Sequence, residues 1–566
     1  MVEELVADVV VVGFGAAGAC AAIEAARGGA SVVVLDRFSG GGATALSGGV
    51  VYAGGGTSVQ RAAGVSDTPE DMYRYLREEV GDGVREETLR RFCEGSVEMI
   101  DWLASLGVPF RPDLCPYKTS YPSDRHFLYY SGSEAAGGFR DVATPAPRGH
   151  RAVGRGISGA ALFGALAGAA RRAGAQVLTS TKVVALEVES GPHTRSGAGP
   201  RAIADGPAPN GVCEPEGEVA GESGTRERVA GVTAVRVTGW AGCVHRVVSR
   251  FAAKPGLYYP PLRRVLHAGA EWVERRYGRP VRVLARRGVV LSSGGFIANR
   301  ELVREHAPAH RGGLALGTPG DDGTGLRLGQ SVGGATAELG SISVWRFITP
   351  PSAFLGAVLV DAAGRRVCDE SRYGAALGHA LVTEHGGRGW LVVDAALVRE
   401  ARRQLGEQTV WFQRLQAEYL LRSRASSGAT LAEAAAAAGV DPEGVSATVK
   451  AHNEAAGAGQ PDPAGKPAEF VHPLVEPPFA LLDISIAPSA FYPCPMMTLG
   501  GLVVDEETGA VLSEGGPIPG LYAAGRTAVG ICTRSYVSGL SLADCVFSGR
   551  RAGRAALSLD TNENVF

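Results

Sequence analysis

The chain has 566 residues, 45% hydrophobic and 20% charged, with a formal net charge of −2, which excludes a disordered or collagenous chain and a membrane bundle and gives no global reason to expect nucleic acid as a partner. Its 80 glycines are about twice the average share and follow no G-X-Y period, so many close backbone approaches around a large ligand are expected. The nine cysteines form no C-x-x-C pair, so no zinc site or other metal and no disulfide framework is expected, and reduced thiols in a cytoplasmic setting fit.

Residues Val6 to Val12 are a β-branched run that predicts a buried strand, and Gly13-Phe14-Gly15-Ala16-Ala17-Gly18 leads from it into an alanine-rich helical stretch, Ala19 to Arg27. A second strand, Ser31 to Leu35, ends at Asp36. Strand, glycine turn, helix, strand and acid in this order are the setting in which a nucleotide is held. There Gly13, Gly15 and Gly18 let the backbone approach a pyrophosphate, Ala16 and Ala17 open the helix toward it, and Asp36, followed by Arg37, accepts from ribose hydroxyls.

A second glycine block contains Gly42, Ala43, Thr44, Ser47, Gly48 and Gly49 and runs on through Tyr52 to Gly54-Gly55-Gly56. Residues 69 to 106 predict helix, 111 to 150 is loop-rich and carries Tyr117, Tyr121, Tyr129 and Tyr130, and Gly159 to Ala173 predicts a small-residue helix. Gln176 to Glu189, with Val183 in its middle, predicts a strand. Residues 190 to 227 hold almost no large apolar groups, and weak order is expected there. From His245 to Arg287 there are eleven Lys or Arg against Glu271 and Glu274, a local charge of +9, interleaved with Tyr258, Tyr259 and Trp272. Such a stretch is expected as a solvated basic helix, as a peripheral membrane contact or as a surface for an anionic protein.

Gly288 to Phe296, with Ser293, Gly294 and Gly295, predicts a buried strand ending in glycines, and Thr318 to Gly325, with Asp322, opens another helix. A second domain is expected from about residue 330, with helices over 396–424 and 430–457. Thr430 and Glu433 read as a capping box, Gly439 as a helix terminator, and Asp441-Pro442 as the N-cap and first residue of the next helix. Gly520 to Gly525, followed by Arg526, returns to a sheet, and Gly539 to Ala556 is the last helix.

The blocks GFGAAG, GGATALSGG, VVLSSGGF, TPGDDGTG, TLAEAAAAAGVDP, MMTLGGL and GLYAAG, in that order, resemble the FAD-binding fumarate reductase and succinate dehydrogenase flavoprotein superfamily over nearly the whole chain outside 190–280. The resemblance implies an α/β fold, a Rossmann-like FAD-binding domain of the GR2 type with an inserted α+β catalytic cap domain. It divides the chain into FAD-binding residues 1–325, with a partly disordered, basic insertion at 190–280, a cap over 326–487, and a return to the FAD-binding domain over 488–566. FAD would be held by the glycines and small residues named above, by Val183, Ser293, Gly294, Gly295 and Asp322, by Gly525 and Arg526, and by the start of the last helix. There Ser538, Gly539, Leu540 and Ser541 would aim a helix dipole that favours the anionic reduced flavin.

Fumarate reductases of this superfamily carry a histidine before T-x-G-G and arginines in the cap and before the last helix, which together hold two carboxylates. Here Met496 and Met497 precede Thr498-Leu499-Gly500-Gly501, Tyr536 stands at the last arginine's place, and Arg372 and Arg534 are displaced. Thioether and phenol in place of cations suit an apolar ketone. Gly48 to Thr57, Tyr129 to Glu134, Pro145 to His150 and Phe491-Tyr492 resemble the 3-ketosteroid dehydrogenase branch, of the 3-oxosteroid 4-dehydrogenase type. The chain departs from that branch at Thr349, where a cap tyrosine would precede Pro-Pro, and in the spacing after Tyr492.

The resemblance thus implies an FAD-dependent dehydrogenase that introduces a double bond next to the carbonyl of a 3-ketosteroid or similar apolar ketone, with hydride passing to flavin N5 and the proton to a tyrosine. The electron acceptor is unknown. Tyr492 is the first candidate for the tyrosine, the other reading being a buried phenol satisfied by a backbone carbonyl; Tyr536, Tyr130 and Tyr52 follow, and His150 is weighed as structural before catalytic. Two rival readings stand beside it. One is a fumarate reductase-like flavoenzyme acting on a small unsaturated acid through Arg372, Arg534 and His150; the other is a non-catalytic flavin-binding protein tethered to a membrane or partner by the basic stretch.

Overall fold

The N-terminal β-branched run forms β1 (Glu3–Val12), whose inner residues are buried because both faces of its sheet are covered. The computed structural model describes residues 2–189, 201–202 and 227–558, so the weak order expected over 190–227 falls almost wholly outside the described residues. After β1 come α1 (Ala16–Arg27), β2 (Val32–Leu35), β3 (Gln176–Leu178), β4 (Thr181–Glu189), β5 (Arg228–Arg236), α2 (Gly239–Ala253), α3 (Pro260–Tyr277) and β6 (Arg279–Leu291). Near the C-terminus, β7 (Gly516–Ala523) and α4 (Leu540–Ala555) complete the larger body.

The main sheet has nine strands, ordered β3-β2-β1-β6-β5-β4 along its main path. β6 is long enough to serve two neighbours on one side: its first half pairs antiparallel with β5, and its last residues pair in parallel with Leu521–Ala523 of β7. Helices α1 and α4 cover one face at close range, since a Cβ on Gly549 or Gly553 of α4 would overlap the backbone of Ala17 and Ala21. That approach explains the alanine-rich face of α1, which leaves little side-chain volume between the two helices.

Part of the stretch expected to stand outside the fold belongs inside it. β5 lies between β6 and β4, and β6 takes the arginines at 279, 282, 286 and 287 into the sheet. Among the described residues of that stretch, α2 and α3 lie outside the sheet, as a helical hairpin inserted between β5 and β6. The alternation in Arg228–Arg236, with Val229, Val232 and Ala234 buried, is the signal that marks β5 as a strand.

The cap has a four-stranded antiparallel sheet in the order Val358–Val360, Trp390–Val393, Phe479–Asp483, Ala425–Gly428, with its own core from Ile348 to Tyr492. Leu326 and Leu328 instead share the core of the main sheet, and Ile342–Val344 pairs with Pro495–Thr498 of the body. This packing supports a boundary near residue 345. The expected helix over 396–424 is two, Ala395–Gln408 and Trp411–Ser423. The Thr430 hydroxyl accepts from the Glu433 N–H, Gly439 ends its helix at φ +68°, and Asp441 caps the helix that Pro442 opens.

Candidate cofactor and active site

At the carboxyl ends of β1, β2, β6 and β7 lies a cavity of about 860 Å³, where open α/β sheets bind their ligands. Gly13 sits there at φ +99°, and a Cβ on it would lie 2.5 Å from the Ser292 carbonyl oxygen, so glycine alone lets the end of β1 pass this close to β6. At Gly15 the nearest atom to such a Cβ is Thr44 Oγ1, 3.6 Å away, and the Thr44 hydroxyl accepts from the Ala16 N–H at the start of α1 at 3.0 Å. Asp36 accepts from the N–H groups of Phe14, Phe38 and Gly40 at 2.9 to 3.0 Å. A carboxylate has about four lone-pair sites, so one is left for a ribose hydroxyl.

Gly42, Ala43, Ser47, Val183, Ser293, Gly294, Asp322, Gly525, Arg526 and Ser541 line this cavity together with Gly13, Gly15, Ala16, Ala17, Asp36, Arg37 and Thr44. Gly18, Gly48, Gly49, Gly295, Ser538, Gly539 and Leu540 are not in its wall. The glycines among them serve packing: Gly18 against the Gly13 carbonyl, Gly48 against the Tyr121 ring, Gly49 against Ser158 and Gly295 against Thr498. Arg37 is committed elsewhere, bonding Glu274 at 2.7 Å and Asp322 at 3.0 Å. Burial would raise the Glu274 carboxyl, but hydrogen bonds from His245 and Arg37 hold it at about 2. This bolts α3 and α2 onto the body, and α2 then lines the cavity with Arg246, Arg250 and Lys254. The sequence could not show this, because a basic helix reads alike whether it faces solvent or an anionic ligand.

The residues present fit an anionic dinucleotide. Arg526 pairs with Asp321 through one guanidinium nitrogen, while its Nη1 is buried with no hydrogen-bond partner among the described residues. A buried guanidinium nitrogen without a partner, on a residue of a glycine-lined cavity wall, fits an anionic ligand.

At the other end of the cavity Trp345, Met497 and Tyr536 form the wall. Trp345 stacks on Tyr536 at 5.0 Å, and the Tyr373 ring stands 6.1 Å from Tyr536 and 5.5 Å from Phe347. The chain turns into α4 at Gly539, φ +93°, whose N–H donates to the Tyr536 hydroxyl at 3.4 Å. Ser538 Oγ is 3.0 Å from the Tyr129 hydroxyl, and the same Ser538 hydroxyl opposes the rise that burial imposes on Tyr373. Burial raises Tyr536 and Tyr373 above the ordinary phenol range, so both rest as neutral donors; at Tyr536 the Gly539 N–H and the Arg526 charge oppose that rise. Tyr373 and Trp345 are additions to the sequence reading. Tyr373 follows Arg372 in the cap motif, which was a usable signal, whereas Trp345 carried none.

The other candidate residues lie elsewhere. Tyr492 donates its hydroxyl to the Phe347 carbonyl at 2.9 Å, beneath the Arg346 guanidinium, and belongs to the cap core. Tyr52 donates to Glu134 at 3.1 Å in a buried polar network. Tyr130 is half-buried in a second cavity at the seam between body and cap, which Ser352 and Leu397 also line. Arg372 stacks over Phe139, and Arg534 is half-exposed and paired with Glu338 and Asp82.

His150 is fully buried, 2.8 Å from Thr57 Oγ1 and 3.0 Å from the Arg148 carbonyl, and burial lowers it from 6.5 to about 4. As pH falls the unfolded chain therefore binds this proton first. The contribution of neutral His150 to stability is complete above pH 6.5 and is lost as pH falls toward 4. Urea unfolding midpoints across that window are expected to drop less steeply for His150→Gln than for the wild type; equal slopes would assign the acid sensitivity to other groups.

A family model described as FAD binding domain matches residues 8–208 and 263–539. The 3-oxo-5-alpha-steroid 4-dehydrogenase of Comamonas testosteroni is 38% identical over 525 residues, 92% of each chain. The structure of a 3-ketosteroid-delta4-(5alpha)-dehydrogenase from Rhodococcus jostii RHA1, in complex with 4-androstene-3,17-dione, superposes with a TM-score of 0.75 at 32% identity, covering 98% of this chain and 97% of that one. A 3-ketosteroid delta1-dehydrogenase from Sterolibacterium denitrificans shares the fold, with a TM-score of 0.64 at 18% identity over 98% of this chain and all of that one. With an intact dinucleotide cradle and these matches over most of its length, the chain belongs to the FAD-binding-domain family of flavoprotein oxidoreductases.

Proposed function

We propose that this flavoenzyme oxidises a 3-ketosteroid or similarly apolar ketone, introducing a double bond beside the carbonyl. The observation that carries this reading is the wall of Trp345, Tyr536 and Met497, backed by Phe347 and Tyr373, at the place where a dicarboxylate would need cations. The steroid dehydrogenases of Comamonas and Rhodococcus support it. Arg534 and His150 do not line the cavity, so the cation clamp of a fumarate reductase is not assembled from them. FAD, when bound, supplies the acceptor for the hydride lost from the substrate.

The chain's own residues handle the proton. Tyr536 takes it from the carbon next to the carbonyl as the phenolate, and the Gly539 N–H and the N-terminal end of α4 stabilise that phenolate before the transfer. Tyr373, tied to Ser538 and through it to Tyr129, polarises the carbonyl as a neutral donor. The test is anaerobic mixing of the oxidised holoenzyme with saturated 3-ketosteroids, 4-ene-3-ketosteroids or succinate. Bleaching by a ketosteroid, with a product two hydrogens lighter, is the expected outcome; reoxidation of the reduced enzyme by fumarate with no response to steroids would overturn the proposal.

A further inference from the structure

Eighteen large hydrophobic side chains are exposed among the described residues, and nine of them lie between residues 240 and 272, on α2, α3 and the turn between them. Of these, Val247 borders the cofactor cavity and is set aside. On α2, Trp240, Val244 and Phe251 follow one stripe, opposite the buried His245, Ser249 and Ala252. On α3, Val265 and Trp272 lie opposite the buried Ala270 and Glu274, and Val265 is 70% exposed. Trp240 and Trp272 both pack edge-on against Tyr277, at 4.9 and 5.8 Å, which joins the two stripes into one face.

This exposure does not come from loose attachment. The underside of the hairpin is clamped by the Arg37–Glu274 pair, by His245 between Ser180 and Glu274, and by a small core of Val237, Ala241 and Val273. Flanking the apolar face, away from the cofactor cavity, are the exposed Arg264, Arg275 and Arg276. Residues 239–277 hold seven Lys or Arg against two Glu, a net +5 in a chain of net −2. A second copy of this face would bring like charges together. A bilayer with anionic headgroups would not, and an aromatic and aliphatic centre with a basic flank suits a helix lying in the headgroup plane. No helix of the described residues is long and apolar enough to cross a membrane.

We propose that the α2–α3 hairpin is a docking element that seats the holoenzyme on the surface of bilayers containing anionic phospholipid. Trp240, Phe251, Val265 and Trp272 enter the boundary between headgroups and acyl chains, while Arg264, Arg275 and Arg276 meet the phosphates. The assignment does not depend on which ketone is oxidised, because its readout is partitioning and not turnover.

Holoenzyme is sedimented with vesicles of phosphatidylcholine alone or mixed with phosphatidylglycerol. The wild type is expected to partition into the mixed vesicles about ten-fold or more above the neutral ones, with binding weakened by salt. Combined Trp240→Ser, Phe251→Ser, Val265→Ser and Trp272→Ser substitutions are expected to abolish partitioning at unchanged flavin content. Brominated phosphatidylcholine in the mixed vesicles is expected to quench the wild type's tryptophan fluorescence, a readout that needs no variant. Absence of wild-type partitioning, absence of quenching, or equal binding by the quadruple variant would each overturn the proposal. So would a concentration-dependent dimer lost in the variant without vesicle binding, which would assign the face to a second copy.

Discussion

Tyr536→Phe is expected to lower the rate of ketone oxidation on the order of 10²- to 10⁴-fold, the usual weight of a positioned proton-transfer group, with flavin content unchanged. The substitution keeps the ring that stacks on Trp345 and removes only the oxygen that accepts from the Gly539 N–H. Rapid mixing under anaerobic conditions isolates the step, since flavin reduction is then read without the electron acceptor. Because burial holds Tyr536 above the ordinary phenol range, the wild-type rate is expected to climb with pH through the neutral and alkaline range. Tyr492→Phe is the control: its hydroxyl already serves the Phe347 carbonyl in the cap core, and its loss is expected to cost stability before rate. A Tyr536→Phe enzyme at the wild-type rate, or a collapse with Tyr492→Phe, would return the proton to Tyr492.

Glu370→Ala is expected to destabilise the cap by about 3–5 kcal/mol, the cost of removing one partner from a buried charge cluster. Glu370 has no exposed surface, pairs with Arg366 at 2.6 Å and Lys466 at 3.0 Å, and accepts from the Leu359 N–H. Its removal leaves Arg366 with Asp462 alone, which the buried His452 also approaches at 3.2 Å, and the Lys466 ammonium without its carboxylate partner. The Lys466 ammonium remains bonded to the carbonyls of Leu355 and Ala357, so the strand Val358–Val360 just after them is expected to loosen first. Hydrogen exchange resolves this, because the cap has a core separate from that of the main sheet. Faster exchange confined to residues 345–487, with the body protected, is the expected pattern; uniform acceleration would mean that cap and body unfold together.

The local signals in the chain translated directly into structure wherever neighbours in sequence decide the outcome. The Gly13 to Gly18 turn, Asp36 after β2, the Thr430–Glu433 capping box, Gly439 and Asp441-Pro442 all act within a few residues of themselves, and each stands where its pattern placed it. Helix breaks were less legible, since the predicted helix over 396–424 ends at Gln408 and restarts at Trp411 with only Gly406, inside the last turn, to mark the gap. The basic stretch from His245 to Arg287 misled for another reason. Arginines at 279, 282, 286 and 287 lie along a strand of the main sheet, and composition cannot separate a basic strand edge from a basic helix.

By itself, then, the sequence determined the dinucleotide cradle, the α/β class and the interrupted body with its inserted cap, because those rest on short motifs and on residue types at their places in those motifs. Which tyrosine meets the cavity was decided only by tertiary structure. Tyr373 in the cap, Tyr129 in the body and Tyr536 before α4 are brought together across more than 400 residues of chain at a helix N-terminus, while Tyr492, equally well placed by its neighbours in sequence, turns its hydroxyl into the cap core. The same holds for α2, whose basic side lines the cofactor cavity while its apolar stripe stays exposed. A side chain's partner across the fold depends on how separate elements pack, and no periodicity along one element encodes that.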